Sequence, residues 1–238
     1  MKKLTITLLS ITMLVAATIK ASAQDVSIQN RQASGFSAIS SGGPFNVHIK
    51  MDGTESVKVE ADTKYINEIE TVVEGNTLKI QFKDHRWSNR YNDLHKADIY
   101  VSAKSLNSLV NSGSGSMSVD GTISTSDEFK TILSGSGNIS ATIKSDGLRA
   151  RISGSGSIKL KGSCGDAELN ISGSGQIEAK DLKAQAVSAG VTGSGNVSIT
   201  AEKTVSARIT GSGNVVYSGN ATITDTRTIG SGRVSRAD

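Results

Sequence analysis

The sequence predicts an all-β fold, a β-solenoid with coils of about 19 residues, on three observations. Gly-Ser-Gly begins at Gly113, Gly135, Gly154, Gly173, Gly193, Gly211 and Gly230, at spacings of 22, 19, 19, 20, 18 and 19 residues. Aliphatic residues keep even offsets from each tripeptide, which a flexible Gly/Ser linker would not do. The composition also suits an elongated fold filled by small side chains. Aromatics are only 4% of the chain, yet 36% hydrophobic residues is too many for disorder.

Four positions after each first glycine stand Met117, Ile139, Ile158, Ile177, Val197, Val215 and Val234, an unbroken apolar column. Two positions before it are Leu133, Ile152, Ile171, Val191 and Ile209, with Asn111 and Thr228 at the two ends. Ala150, Leu169, Ala189 and Ala207 lie four before, and Leu148, Ala167, Val187 and Val205 six before. Even offsets put these side chains on one face of an extended chain. The same parity turns both tripeptide glycines inward, where a bend leaves no room for a Cβ and glycine permits the unusual dihedrals the bend needs. Outward, Ser134, Ser153, Ser172, Thr192 and Thr210 align as one polar ladder. Asn138, Ser157, Gln176, Asn196 and Asn214 align as another, able to hydrogen-bond along the stack. In the last coil Thr224, Thr226 and Thr228 take inward positions, a polar drift that suits a terminal cap.

Upstream, Val47–Met51 and Val57–Ala61 alternate on either side of an Asp52-Gly53 turn. Leu78–Phe82 and Asp98–Val101 read as further strands, and residues 62–70 as a helical turn or loop. At the start, Lys2 and Lys3, the apolar Leu4–Ala17 and Ala21-Ser22-Ala23 have the layout of a signal peptide over residues 1–23. Residues 24–238 then form a single β-solenoid domain, with Gly-Ser-Gly coils at 107–236. That exported chain would have no membrane span, in the periplasm, on the outer cell surface or secreted. Without the three leader lysines the balance is 23 basic to 22 acidic residues, which gives no electrostatic case for nucleic acid. The single Cys164, in Gly162-Ser163-Cys164-Gly165, reads as an inert thiol at a turn.

Phe36-Ser-Ala-Ile-Ser-Ser-Gly-Gly-Pro-Phe-Asn-Val-His-Ile, Ser56–Asp62 and Ile69–Ile80, together with the serial Ser-Gly-Ser-Gly coils, resemble the putative auto-transporter adhesin head GIN domain family over about residues 30–235. The resemblance implies a right-handed parallel β-helix at the envelope or outside the cell, and brings no catalytic residues. The function expected is a non-enzymatic adhesion or binding module. The alternatives are an envelope scaffold or, since many polysaccharide-active enzymes are β-helices, an enzyme of that class.

Catalysis on a solenoid needs carboxylates gathered on one face. Here Asp146, Asp166, Glu168, Glu178, Asp181, Glu202 and Asp225 are scattered over different offsets. No cofactor or metal is expected: the coils lack the Asp of calcium-binding β-rolls, and His48, His85 and His95 have no ligand spacing. Asp84, His85, Asp93 and His95 read better as solvated loop residues than as a convergent set. The candidate for recognition is His85–Tyr91, a polar segment between two strand patterns with the chain's only Trp. Arg86, Trp87, Arg90 and Tyr91 there have the chemistry to contact a glycan or a protein partner. The plainer alternative is that Trp87 folds back over the end of the solenoid.

Overall fold

The computed structural model describes residues 25–84 and 93–237, and these are strands, turns and bends without a helix. The first half holds β1 (Val26–Arg31), β2 (Ala38–Gly42), β3 (Asn46–Met51), β4 (Ser56–Asp62), β5 (Ile69–Glu74), β6 (Thr77–Phe82), β7 (Ala97–Ala103), β8 (Ser108–Asn111) and β9 (Ser116–Ser124). The second holds β10 (Glu128–Gly135), β11 (Asn138–Gly154), β12 (Ser157–Gly173), β13 (Gln176–Gly193), β14 (Asn196–Gly211), β15 (Asn214–Ser218), β16 (Thr222–Gly230) and β17 (Arg233–Arg236). From β8 onward each coil pairs in parallel with the next, and the long strands β11 to β14 each run from one tripeptide to the following one. This is the expected β-solenoid, with coils about 19 residues apart.

The apolar columns are its core. Met117, Ile139, Ile158, Ile177, Val197 and Val215 are buried, as are Leu133, Ile152, Ile171, Val191 and Ile209. A single coil has no second layer to cover these side chains, so each coil is stabilised by its neighbours. Asn111, at the head of the second column, is fully buried and donates from Nδ2 to the Gly115 carbonyl at 2.8 Å, bracing the first tripeptide.

The two glycines of the tripeptide do different work, and the expectation that both face inward holds only for the second. Gly156, Gly175, Gly195 and Gly213 are buried, and a Cβ on any of them would meet an aliphatic side chain of the coil below at 2.5–2.6 Å. The first glycines, from Gly135 to Gly230, are not buried. They have φ between +113° and +127°, which L side chains rarely adopt. In Gly154, Gly173, Gly193 and Gly211 a Cβ would lie 2.4 Å from the carbonyl oxygen of the glycine beneath. The crowding at this corner therefore runs along the stack.

The N-terminal end is not laid down in chain order. β2 and β3 form a coil whose corner is Gly43-Pro44-Phe45. The β6–β7 coil packs on one side of it and the β8–β9 coil on the other. The Asp52-Gly53 turn is present, with Asp52 Oδ1 accepting from the Thr54 amide at 3.1 Å. β3 and β4 nevertheless do not pair with each other, because β7 lies between them. β1, β4 and β5 add antiparallel pairings that close this end, and residues 63–68 are a turn.

The C-terminal end differs from the expected cap. A bulge between Val205 and Ser206 shifts the register, so Ile223, Thr226 and Thr228 continue the columns of Val205, Ala207 and Ile209, and Thr224 is the extra residue. All of β16 is exposed, because no further coil covers it.

Gly173→Ala places a Cβ 2.4 Å from the Gly154 oxygen at φ +122°. It is expected to cost about 3 kcal/mol or more, from overpacking and backbone strain together. Ser174→Ala, at an exposed position, should stay within about 0.5 kcal/mol of the parent. Chemical denaturation of the two variants side by side checks both values.

Candidate functional site

Arg86, Trp87, Arg90 and Tyr91 lie outside the described residues, as does His85. The two feet of their segment are well placed. Gly42 lies opposite Gln81 and Asn46 opposite Asp98, so the coil that turns at Gly43-Pro44-Phe45 stacks on one that leaves β6 at Phe82 and returns at Ala97. The end of β6 and the start of β7 therefore lie where the other coils make their short turn, and residues 83–96 connect them in sequence. Phe45, in the position of a second glycine, packs its ring 4.9 Å from that of Phe82. A cleft of about 450 Å³ lies beside this first foot, lined by Gly43, Pro44, Phe82, Asp84, Gly113 and Ser114.

The second foot is clamped to the 63–68 turn. Lys64 Nζ pairs with Asp93 Oδ2 at 2.7 Å, and the Tyr65 hydroxyl donates to the other oxygen of the same carboxylate. The His95 amide donates to Asp62 Oδ2 at 2.8 Å, and Lys96 Nζ donates to Glu60 Oε1 at 2.5 Å. The hydrogen bonds from Lys64 and Tyr65 hold the Asp93 carboxyl down at about 2, and Asp93 in turn raises the Lys64 ammonium. Asp93 and the His95 amide are thus engaged in structure. Among the described residues no group of three or more His, Cys, Asp or Glu is placed to hold a metal ion.

Most of the acids that look scattered in sequence have partners in the register. Arg149 stands between Glu128 at 3.2 Å and Glu168 at 3.0 Å, Lys159 lies 3.9 Å from Glu178, and Lys161 lies 3.5 Å from Asp181. Carboxylates paired across adjacent coils in this way are accounted for by cross-strand electrostatics. The amide ladder is bonded in part, from Asn214 Nδ2 to Asn196 Oδ1 at 3.0 Å. The Ser134-to-Thr210 ladder has no side-chain hydrogen bond between its members and faces solvent.

One cluster has no signal in the one-dimensional sequence. On the outward face Lys58, Tyr100, His48 and Ser118 lie in one row across β4, β7, β3 and β9. The His48 and Tyr100 rings stack at 5.0 Å, and Lys58 Nζ sits 4.1 Å from the Tyr100 ring centre. Alternation puts each of these residues on the outside, but the pairing of β7 with both β3 and β4 is what brings them together. Aromatic and cation–π cross-strand pairs of this kind stabilise a sheet.

Cys164 is a core residue rather than a turn residue. It lies within β12, opposite Ser145 and Ala184, and burial pushes its thiol up to about 11.

With this geometry in view, a family model described as putative auto-transporter adhesin, head GIN domain, matches residues 35–221. The chain belongs to this family. Among solved structures, a putative adhesin from Bacteroides fragilis aligns with a TM-score of 0.81 and 23% identity, over 90% of this chain and 98% of that one. A putative lipid binding protein from Parabacteroides distasonis aligns at 0.72 and 24%, over 91% and 98%. A putative adhesin from Parabacteroides merdae aligns at 0.67 and 21%, again over 91% and 98%. At these identities the likeness is one of fold. The comparison with curated proteins finds no match. The matched span of this GIN domain begins at Gly35 and ends at Ala221, so it takes in the segment 83–96 as well as the stack. No helix among the described residues is long and apolar enough to cross a membrane.

Asp93 lies below its ordinary value of 3.8, so the stabilisation it gives the second foot is present above about pH 4 and lost as the pH falls toward about 2. Asp93→Asn should remove that acid dependence. It should also speed hydrogen exchange at the amides of residues 94–96 while leaving those of β12 and β13 unchanged. Exchange measured at pH 3 and pH 6 on both proteins checks this.

Proposed function

We propose that this GIN domain is an exported, non-catalytic binding module, and that Arg86, Trp87, Arg90 and Tyr91 make its contact with a glycan or protein at the cell surface. The observation that carries the reading is the position of the two described feet: β6 ends at Phe82 and β7 begins at Ala97 beside the tripeptide corner, with the far foot clamped through Asp93, His95 and Lys96. A rigid stem lowers the entropy lost when side chains near it bind a partner. Aromatic and arginine side chains are the residue types that most often dominate such contacts. The interior supports the same reading, since its columns are filled by aliphatic side chains with at most a few per cent exposure. That leaves the outer surface to meet partners. The descriptions of the structural neighbours, two putative adhesins and one putative lipid binding protein, also fit a module that binds rather than transforms.

The double variant Trp87→Ala/Arg90→Ala is expected to lose most binding to mucin or glycan surfaces, with a fall in affinity of about tenfold or more. Its thermal midpoint should move by no more than about 2 °C. Glycan-array and mucin binding by the purified protein, beside a melting curve, checks it. Full binding in the variant would sink the assignment of these residues, and a large fall in midpoint would show that Trp87 caps the solenoid instead.

A further inference from the structure

The outward face of the arm that leads into each tripeptide carries a notch. Register places Ile132, Arg151, Asn170, Gly190, Arg208 and Arg227 in one outward column. Gly190 interrupts a run of longer side chains. Its backbone does not require glycine: φ is not positive, and a Cβ there would meet only the end of the Asn170 side chain, with Oδ1 at 2.5 Å. Glycine within a strand weakens it and marks places where something approaches the backbone closely. Here the result is a groove of about 620 Å³, with Arg151 at one end and Arg208 at the other.

The two arginine positions are three coils apart, about 14 Å at the usual strand spacing. Arg151 has no ion-pair partner among the described residues, and Arg208 lies 3.8 Å from Asp225 with both side chains about 70% exposed. Outside this column Arg149 and Lys130 balance Glu128 and Glu168, so the positive charge at the groove comes from Arg151 and Arg208. Between them the floor is polar and oriented. Glu168 accepts from Arg149 Nε at 3.0 Å and from Asn170 Nδ2 at 2.8 Å, which holds Asn170 Oδ1 over Gly190. Ser172, Thr192 and Thr210 line one side with hydroxyls that no side chain of the ladder occupies.

We propose that this groove binds a linear anionic glycan laid along the stack, with Arg151 and Arg208 each pairing with a carboxylate or sulfate group and the sugar backbone resting over Gly190. Arginine forks match carboxylate and sulfate geometry in a bidentate way. The hydroxyl and amide floor offers the donors and acceptors that sugar hydroxyls need. An acidic peptide fits less well. The strands here are paired on both sides, which leaves no edge for strand addition. The site deepens the reading of this chain as a binding module and rests on it, but uses residues distinct from the segment 83–96.

Calorimetry on the purified full chain with alginate, heparin, neutral dextran and polyglutamate tests it. Alginate or heparin is expected to bind, and dextran and polyglutamate to bind at least about tenfold more weakly. Arg151→Gln/Arg208→Gln and Gly190→Gln should each weaken the acidic glycan by about tenfold or more at an unchanged thermal midpoint. Lys183→Gln/Lys203→Gln, which removes the same charge from exposed positions outside the groove, should change it little. Equal losses in the two charge variants would overturn the site in favour of diffuse attraction. Polyglutamate binding as tightly as the glycan would overturn the ligand class. Trp87→Ala/Arg90→Ala is measured beside them. If it alone loses binding, the groove is overturned and the module reading stands; if neither glycans nor proteins bind the parent, both fall.

Discussion

Everything in this solenoid depends on how closely the backbones of successive corners approach. Gly154 lies on Gly135, and Gly173 on Gly154, with the carbonyl of each lower glycine accepting the amide of the serine above at 3.0 Å. Any Cβ at these points would enter the space of that carbonyl, so the corner admits only glycine. The corner also sets the register for the rest of the coil. Coils differ in length by one or two residues, yet Gly135, Gly154, Gly173, Gly193, Gly211 and Gly230 remain in register throughout. The differences are absorbed by irregularities between corners, between Lys159 and Lys161, Ala179 and Lys183, and Val205 and Ser206. A slip at the corner would turn the inward columns outward, whereas a bulge in mid-coil disturbs one neighbour at a time.

The ends of the stack show what happens where this constraint relaxes. In the β2–β3 coil the second glycine is replaced by Phe45, and its ring and that of Phe82 fill space that aliphatic side chains fill elsewhere. In the β6–β7 coil the corner gives way to the segment 83–96. That coil stacks on a solenoid coil on one side only, and on its other side meets the antiparallel β4 and β5. An insertion there has one corner to match instead of two, so its cost is lowest at the end of the stack. At the opposite end β16 leaves a free edge. The bulge at Thr224 and the exposed charges of Asp225 and Arg227 are the devices that discourage edge-to-edge pairing.

The columns were legible in the sequence because a short period repeats each position several times, and burial acts on the same parity in every coil. Met117 to Val215 and Leu133 to Ile209 follow from counting alone. Glycine's tolerance of unusual dihedrals at the bend was legible, but parity does not say which of the two glycines has positive φ, or that a carbonyl of the next coil approaches it. The placement of β2–β3 between two later coils was hidden for another reason. Its partners lie 39 and 52 residues away on one side and 70 on the other, and nothing local records such pairings. The acids illustrate the same limit: Glu168 and Arg149 look unrelated until a 19-residue register sets them 3.0 Å apart. The segment carrying Trp87 was legible as an interruption, and its position at a corner emerged only from the pairing on either side.

A stack of this kind separates fold from function in a physical way. The inward columns and the corners are fixed by contact with the coils above and below, so they have little freedom to vary. Outward positions between corners meet only solvent and their column neighbours, and one substitution there changes the surface without moving the backbone. Gly190 is such a change. It costs the strand roughly 0.5–1 kcal/mol in a fold that has no backbone need for it. Its neighbours Asn170 and Arg208 keep their register with it. Because the coil spacing is constant, the backbone positions of one column stand at fixed multiples of that spacing before any ligand arrives. A polymer that repeats its own charges can meet side chains rooted at such positions without the backbone reorganising, and this preorganisation, more than the area of contact, is what a rigid solenoid offers.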